Sequence, residues 1–339
     1  MAKLRVAVLI GGRSSEHEIS VASARSVLDA LDPARYETVT IEIGRDGRWE
    51  LGGERRQLER DGGSAAETLP VPTSQVPAML GEVDVVFPVL HGPFGEDGTV
   101  QGLLELADVP YVGSGVTASA LCMDKDLFKS VLRDKGIPVT KSVTLRRPPE
   151  EFESPFGLPV FVKPARLGSS VGSTKARGED ELRAGLELAF RHDEKVLVEE
   201  FVDGVEVEVG VLGNDQPVAS IPGEIVANAD WYDYSAKYDE GGMELVVPPR
   251  VAPEAIERVQ ELAVEAFRVT DCEGMARADC FVRGDGEVLV NELNTIPGFT
   301  ATSVYAKLFE ASGIPYGELL DRLVQLALER HERRSSLEY

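Results

Sequence analysis

The chain has 339 residues, of which 43% are hydrophobic and 27% charged, and a formal net charge of −23. That length predicts two or three domains at roughly 100–200 residues each, and the hydrophobic content suffices for packed cores, which excludes a disordered chain. The acidic balance argues against a nucleic-acid or membrane-surface partner, because both need a basic face, but it leaves room for a local basic pocket.

Cys122, Cys272 and Cys280 are odd in number, and no pair has metal-ligand spacing. They are expected to be reduced and buried, in a cytoplasmic protein. Met1-Ala2-Lys3 runs straight into a strand-like segment without a signal-peptide pattern. No apolar run reaches the length of a membrane span.

Arg5 to Ile10 is a continuous apolar run, the pattern of a parallel strand covered on both faces. Gly11-Gly12 ends it, and Ser15 with Glu18 three residues on matches a capping box for the helix that follows. Thr38–Ile43 and Val85–Leu90 read as further strands, the latter running into H-G-P-F-G-E-D-G at 91–98. Strand, helix, strand with Gly-rich turns is a doubly wound parallel unit, with ligands near the carboxyl ends of its strands. Glu16 and His91 fall there. Glu16 also has a plainer reading, a carboxylate compensating the helix dipole. Gly11-Gly12 lacks the spacing of a dinucleotide fingerprint, and residues 45–78 read as a surface excursion without chemistry.

A helix is predicted from Met123 to Gly136, then a short strand, Pro159–Pro164, carrying Lys163 near its end. The Gly/Ser loop from Arg166 to Ser173 resembles loops that cover phosphates with backbone N–H groups. Val196–Phe201 is another strand, and Val205–Val211 alternates, so Glu206 and Glu208 share one face, read as solvated. Asn228–Glu244 is polar and aromatic and reads as an ordered lid. Pro253–Val269 is an amphipathic helix with proline in its first turn. Leu319–Leu328 is the last helix, with a fraying charged tail.

Asp285-Gly286 separates two β-rich runs and predicts a two-residue hairpin. In that register Arg277 faces Asn294, Asp279 faces Glu292 and Phe281 faces Val290, all on one side. Like charges directly opposite are destabilising. A hard divalent cation removes that cost, since Mg²⁺ takes few oxygen ligands and shares substrate phosphates. Taken alone, a solvated edge hairpin explains these charges equally well. The turn-rich run Asn294–Thr300 beside the carboxylates, with N–H groups free to meet an anion, favours the metal reading.

Seven segments in order resemble the D-alanine–D-alanine ligase family of the ATP-grasp superfamily. They are G-G-R-S-S-E-H-E-I-S (11–20), H-G-P-F-G-E-D-G (91–98), M-D-K (123–125), V-K-P-A-R-L-G-S-S-V-G (162–172), Y-D-Y-S-A-K-Y (232–238), R-A-D (277–279) and N-E-L-N-T-I-P-G-F-T (291–300). The departures, at Cys280, Leu293 and the length of 45–78, are conservative and leave the site residues in place. The resemblance implies a fold mixing α/β and α+β parts, a three-domain ATP-grasp architecture with an N-terminal doubly wound parallel sheet. Its domains would be an N-terminal substrate unit (1–119), a central lid domain (120–211) and a C-terminal ATP- and metal-binding domain (212–339). It implies ATP-dependent joining of two D-alanines through an acyl phosphate, for peptidoglycan precursor synthesis, by a cytoplasmic homodimer.

By the same resemblance, Asp279, Glu292 and Asn294 hold two Mg²⁺ ions, with Mn²⁺ as a substitute and K⁺ as an activator. Lys125, Lys163 and Lys237 meet the ATP phosphates. Glu199 reaches the adenine, Glu206 the ribose, and Phe201 and Val202 line the base pocket. Ser170, Glu200, Phe281 and Asn291 complete the nucleotide set. Glu16 holds the first ammonium, and His91 sits beside that substrate. Arg277 and the Gly298 N–H form an oxyanion hole. Ser303 takes the second carboxylate, and Tyr238, Ser169 and Glu16 form a hydrogen-bonded triad. No Ser-His-Asp or Cys-His arrangement competes. The alternatives are D-serine or D-lactate as second substrate, with Tyr238 arguing against D-lactate, and a non-catalytic two-lobed binding protein.

Overall fold

The computed structural model describes residues 2–52, 80–227 and 243–338. Three sheets organise it. The first has the order β3-β2-β1-β4, built from β1 (Leu4–Gly11), helix α1 (His17–Ala30), β2 (Tyr36–Ile43), β3 (Trp49–Gly52) and β4 (Val85–Pro88), followed by α2 (Thr99–Leu106). β1 pairs in parallel with β2 and β4, and its last six residues are buried, as its unbroken apolar run requires. β3 pairs antiparallel on the edge, so the excursion after residue 45 begins as sheet; residues 53–79 lie outside the described residues.

The capping box is not formed. Helix α1 starts one turn position later than the motif implies, with Glu16 as its N-cap residue and no side-chain cap. Glu18 instead points outward to Arg45, at 2.8 Å. The local motif loses to the loop packing that draws Glu16 into the interior.

Helices α3 (Val116–Met123) and α4 (Lys125–Asp134) lead to a second sheet of order β5-β8-β6-β7. It comprises β5 (Ser142–Leu145), β6 (Val160–Pro164), β7 (Thr174–Ala176), α5 (Glu179–Phe190) and β8 (Val196–Glu200). Asp124 caps α4, its carboxylate accepting from the Leu127 N–H at 3.2 Å. The third sheet has the order β12-β11-β9-β13-β14, with β10 against β9. Its strands are β9 (Gly204–Gly213), β10 (Val218–Ala219), β11 (Gly223–Ala227), β12 (Met243–Val246), β13 (Gly274–Arg283) and β14 (Val288–Asn294), with α6 (Pro253–Val269) on its back. β9 therefore belongs wholly to the third sheet, and the second and third sheets divide between Glu200 and Gly204.

Helices α7 (Val304–Ala311) and α8 (Tyr316–Ser335) end the chain. Leu319, Leu320, Leu323 and Val324 of α8 pack with Val6, Val8 and Phe87 of the first sheet, so the last helix closes the core of the first domain. The tail expected to fray is held. Arg330 donates to the carbonyls of Gly113 and, at 2.9 Å, Tyr111, while Arg333 pairs with Asp215 and Glu273. Among the described residues, no helix is long and apolar enough to cross a membrane.

The hairpin of β13 and β14 is shifted from its expected register near the turn. Arg277 opposes Asn294 and Asp279 opposes Glu292, but Phe281 pairs with Leu289, and Val290 pairs with Cys280. The loop is one residue longer than two, with Gly286 at φ 90°. A bulge at Asn291 absorbs that residue and restores the inner register. Val290 consequently joins the core behind the sheet instead of facing the acids.

Candidate active site

Two cavities, of about 460 and 480 Å³, lie where the three sheets converge and share Gly168, Ser169 and Glu292 in their linings. The bulge has a local consequence here. Asn291 and Glu292, although consecutive, both face the first cavity, together with Asp279 and Phe281.

The first cavity is floored by cations and carboxylates in alternation. Glu199, at the end of β8, is buried between Lys163 at 2.7 Å and Lys129 at 2.9 Å. Burial raises the cost of its charge, but the two lysines outweigh it and hold its carboxyl at about 2. Burial opposes the Lys163 ammonium too, yet Glu199, Glu292 and Glu206 more than offset this and raise its pKa. Lys125, from the first turn of α4, donates to the Leu167 carbonyl at 2.7 Å and lies 3.3 Å from Glu292. Phe161 and Phe201 form an apolar wall, their ring centroids 6.3 Å apart, with Lys175 4.2 Å above Phe201. Ser170, Glu200, Val202 and Glu206 complete the lining, so every described residue of the expected nucleotide set meets in one cleft. Glu200 is also structural: its carboxylate accepts from the Lys141 N–H at 2.9 Å and lies 3.3 Å from Arg283.

The second cavity gathers Glu16, His91, Ser169, Arg277, Gly298 and Ser303, from five separate segments. Glu16 accepts a hydrogen bond from the Ser169 hydroxyl. Ser169 and Ser170 sit at φ 50° and 58°, a conformation uncommon outside glycine, and it is this turn that aims Ser169 at Glu16. Gly92 sits at φ 72°, where glycine is favoured, and an added Cβ would stand 2.7 Å from the Glu16 carboxylate and displace it. His91 Nδ1 lies 3.1 Å from the Ile296 carbonyl, and burial lowers the ring's pKa against the pull of Glu16. Ser303 stands at the start of α7, its Oγ accepting from the Thr300 N–H at 3.0 Å, and a Cβ added at Gly298 would stand 3.2 Å from that Oγ. Tyr238 and Lys237 lie outside the described residues, as do residues 228–242 of the expected lid; its last two, Met243 and Glu244, open β12.

Between the cavities three acids stand in one row across the third sheet. Glu208 of β9 and Glu292 of β14 are the direct cross-strand partners of Asp279 on either side. Glu208 was expected on a solvated face; it is 3% exposed and 2.9 Å from Arg277. Its burial has a topological cause, because β13 arrives some 70 residues later and lays Asp279 and Arg277 beside it. Arg277 also clamps Asp279 with two hydrogen bonds, of 2.7 and 2.8 Å. Burial works against the guanidinium charge, but Asp279 and Glu208 hold its pKa well above the usual value.

Residue types in this row fit a hard cation. Asp279 and Glu292 present carboxylates side by side, and Asn294 adds an amide, its Nδ2 3.1 Å from Asp279; turned end for end, that amide presents its oxygen. Arg277 and Lys125 supply the counter-charges, at 2.7 Å from Asp279 and 3.3 Å from Glu292. Among the described residues no group of three or more His, Cys, Asp or Glu side chains is arranged to hold a metal, and the donor set here is two carboxylates and an amide, in keeping with the few protein ligands Mg²⁺ takes.

Sequence reasoning gave no role to Lys129 or Glu96, and misread Glu208 as solvated. Glu96 lines the second cavity and accepts from the Gly92 N–H at 2.7 Å. Burial, then the charge of Glu16, pushes its carboxyl up to about 8. Lys129 had one available signal, its i+4 spacing from Lys125, which puts both on one side of α4.

Residues 5–114 match the family model described as D-ala D-ala ligase N-terminus, and residues 131–325 the model described as D-ala D-ala ligase C-terminus. The chain is 44% identical to D-alanine–D-alanine ligase A of Escherichia coli (strain K12), over 99% of each chain. Among solved structures it is similar to the D-Ala:D-Ser ligase from Enterococcus faecalis, at 39% identity and TM-score 0.85 over 96% of this chain and 100% of the other. It is also similar to the D-alanine–D-alanine ligase from Bacillus anthracis complexed with ATP, at 27% identity and TM-score 0.79 over 98% and 99%.

Proposed function

The chain belongs to the D-alanine–D-alanine ligase family, and from that premise we propose that it joins two D-alanines at the expense of ATP, through a D-alanyl phosphate, for peptidoglycan precursor synthesis. The observation that carries the reading is the meeting of a cation-floored cleft and a Glu16–Arg277–Ser303 cavity at one row of acids.

Lys163 and Lys125 neutralise the triphosphate, and Phe201, Val202 and the backbone of β8 take the base; both Glu199 carboxylate oxygens face lysines. Glu206 serves the ribose. Asp279, Glu292 and Asn294 would hold Mg²⁺, which supplies charge neutralisation at the transferring phosphoryl group. Glu16, kept in place by Ser169, receives the first ammonium. Arg277, retained by Glu208 whichever partner Asp279 takes, stabilises the oxyanion with the Gly298 N–H. Ser303 binds the carboxylate of the second amino acid, whose amine displaces phosphate. Positioning and charge account for the catalysis, with no protein nucleophile. Lys237 and Tyr238 enter on family resemblance alone, as do the homodimer, cytoplasmic location and K⁺ activation.

The test is phosphate release from ATP, Mg²⁺ and D-alanine, with D-alanyl-D-alanine identified by mass; release with another acid–amine pair and none with D-alanine overturns the reading. The likeness to the D-Ala:D-Ser ligase favours one second reading, D-serine as the attacking amine. Equimolar competition between D-alanine and D-serine decides it, because a pocket discriminates weakly against one added hydroxyl unless built for it.

A further inference from the structure

Lys129 is fully buried and does not line either cavity, yet it touches three residues that do. Its ammonium is 2.9 Å from Glu199 and 3.4 Å from Asn291 Oδ1, and it donates to the Thr140 hydroxyl. These partners come from three segments: β8 of the second sheet, the bulge of β14 in the third, and the chain that crosses between them. That crossing chain is itself pinned to β14, the Val290 N–H donating to the Pro138 carbonyl at 2.9 Å. A charge this deep persists where it is paired and hydrogen-bonded on several sides.

Resting on the nucleotide-binding reading above, we propose that Lys129 is a positioning residue for ATP: it anchors the Glu199 carboxylate under the cleft so that Lys163 is left available to the phosphates. The geometry is a shared carboxylate. Glu199 lies between Lys129 and Lys163, one oxygen toward each. With both present, the second lysine is in excess over its carboxylate and meets a polyanion readily. Without Lys129, the buried Glu199 has Lys163 as its remaining cation, and drawing that cation toward a phosphate leaves a buried carboxylate unpaired. Such an uncompensated charge is heavily disfavoured, so Lys163 stays on Glu199. Asn291 and Thr140 lose their common donor at the same time, which loosens the wall next to Glu292.

The discriminating experiment is Lys129→Met, with the affinities for ATP and for adenosine measured by calorimetry and the KM for ATP and for D-alanine by phosphate release. The variant should weaken ATP by about tenfold or more and leave the adenosine affinity and the D-alanine KM within about threefold. A residue that merely packs would weaken adenosine and ATP alike, because adenosine carries no phosphate for Lys163 to meet. Unchanged ATP affinity, or adenosine weakened as much as ATP, overturns the proposal. Should Lys129→Met not fold, Lys129→Arg, which keeps a cation beside Glu199, decides alone: ATP weakened about tenfold there refutes the anchoring role. Wild-type protein that fails to turn over ATP with D-alanine refutes the functional reading instead, so the two failures are distinct.

Discussion

Replacing Arg277 by methionine removes one cation from between two buried acids. Its side chain is 16% exposed, and those of Asp279 and Glu208 are 6% and 4% exposed. The two acids are direct cross-strand partners, so their Cβ atoms stand about 5 Å apart. At an effective dielectric near 20, two unit charges at that range repel by roughly 3 kcal/mol. Stripping a buried charge of its partner costs about 3–5 kcal/mol by comparison with measured cases. For a protein of this size that is a loss in Tm on the order of 10 °C. Catalysis suffers separately, since removing an oxyanion donor lowers kcat by about 10²–10³, while the KM for ATP should move less than about threefold because Arg277 lines the other cavity. Scanning fluorimetry and continuous phosphate release read the two effects. Adding Glu208→Gln should return much of the lost Tm and none of the lost kcat. A variant retaining turnover within tenfold of wild type, or an unchanged Tm, refutes the placement of Arg277.

Asp279→Asn with Glu292→Gln should abolish turnover and weaken Mn²⁺ binding, followed by electron paramagnetic resonance, at least a hundredfold by order of magnitude; undiminished binding would move the metal elsewhere. Glu96 titrates at about 8 in the folded protein against 4.5 ordinarily, so the fold favours its neutral form. The stability this group contributes is full below about pH 4.5 and is lost as pH rises toward 8. Urea denaturation should therefore show the stability of Glu96→Gln gaining on wild type by up to about 1.4 kcal/mol per pH unit between pH 5 and 8, and a gap that is flat with pH contradicts the burial. Arg330→Met strips donors from the Gly113 and Tyr111 carbonyls and should destabilise the protein by about 2–4 kcal/mol in denaturant titrations; a loss below about 0.5 kcal/mol would mean the last helix is held by its leucines alone.

Where sequence and structure part, the cause outside the hairpin is a contact made far along the chain. The inner hairpin pairs, Arg277 with Asn294 and Asp279 with Glu292, follow from alternation over a short turn. The outer pairs do not, because one more loop residue and one bulge cancel each other. Ser15 and Glu18 form a valid cap motif that the structure leaves unused, since burying Glu16 beside Ser169 commits the loop differently. The expectation of reduced, buried cysteines agrees with Cys122, Cys272 and Cys280 being free and buried.

Local pattern by itself determined three of the four strands of the first sheet, the helix Pro253–Val269, the facing of Asp279 and Glu292, and, through seven ordered segments, the family. Those features depend on alternation, periodicity and motif, all carried within a few tens of residues. The tertiary structure alone decided that Glu208 is buried against Arg277, that Lys129 and Lys163 share Glu199, and that the last helix closes the first core. Each of these is a matter of which distant segment supplies the counter-charge or the apolar cover, and a buried charge takes its meaning from the partner that the fold brings to it.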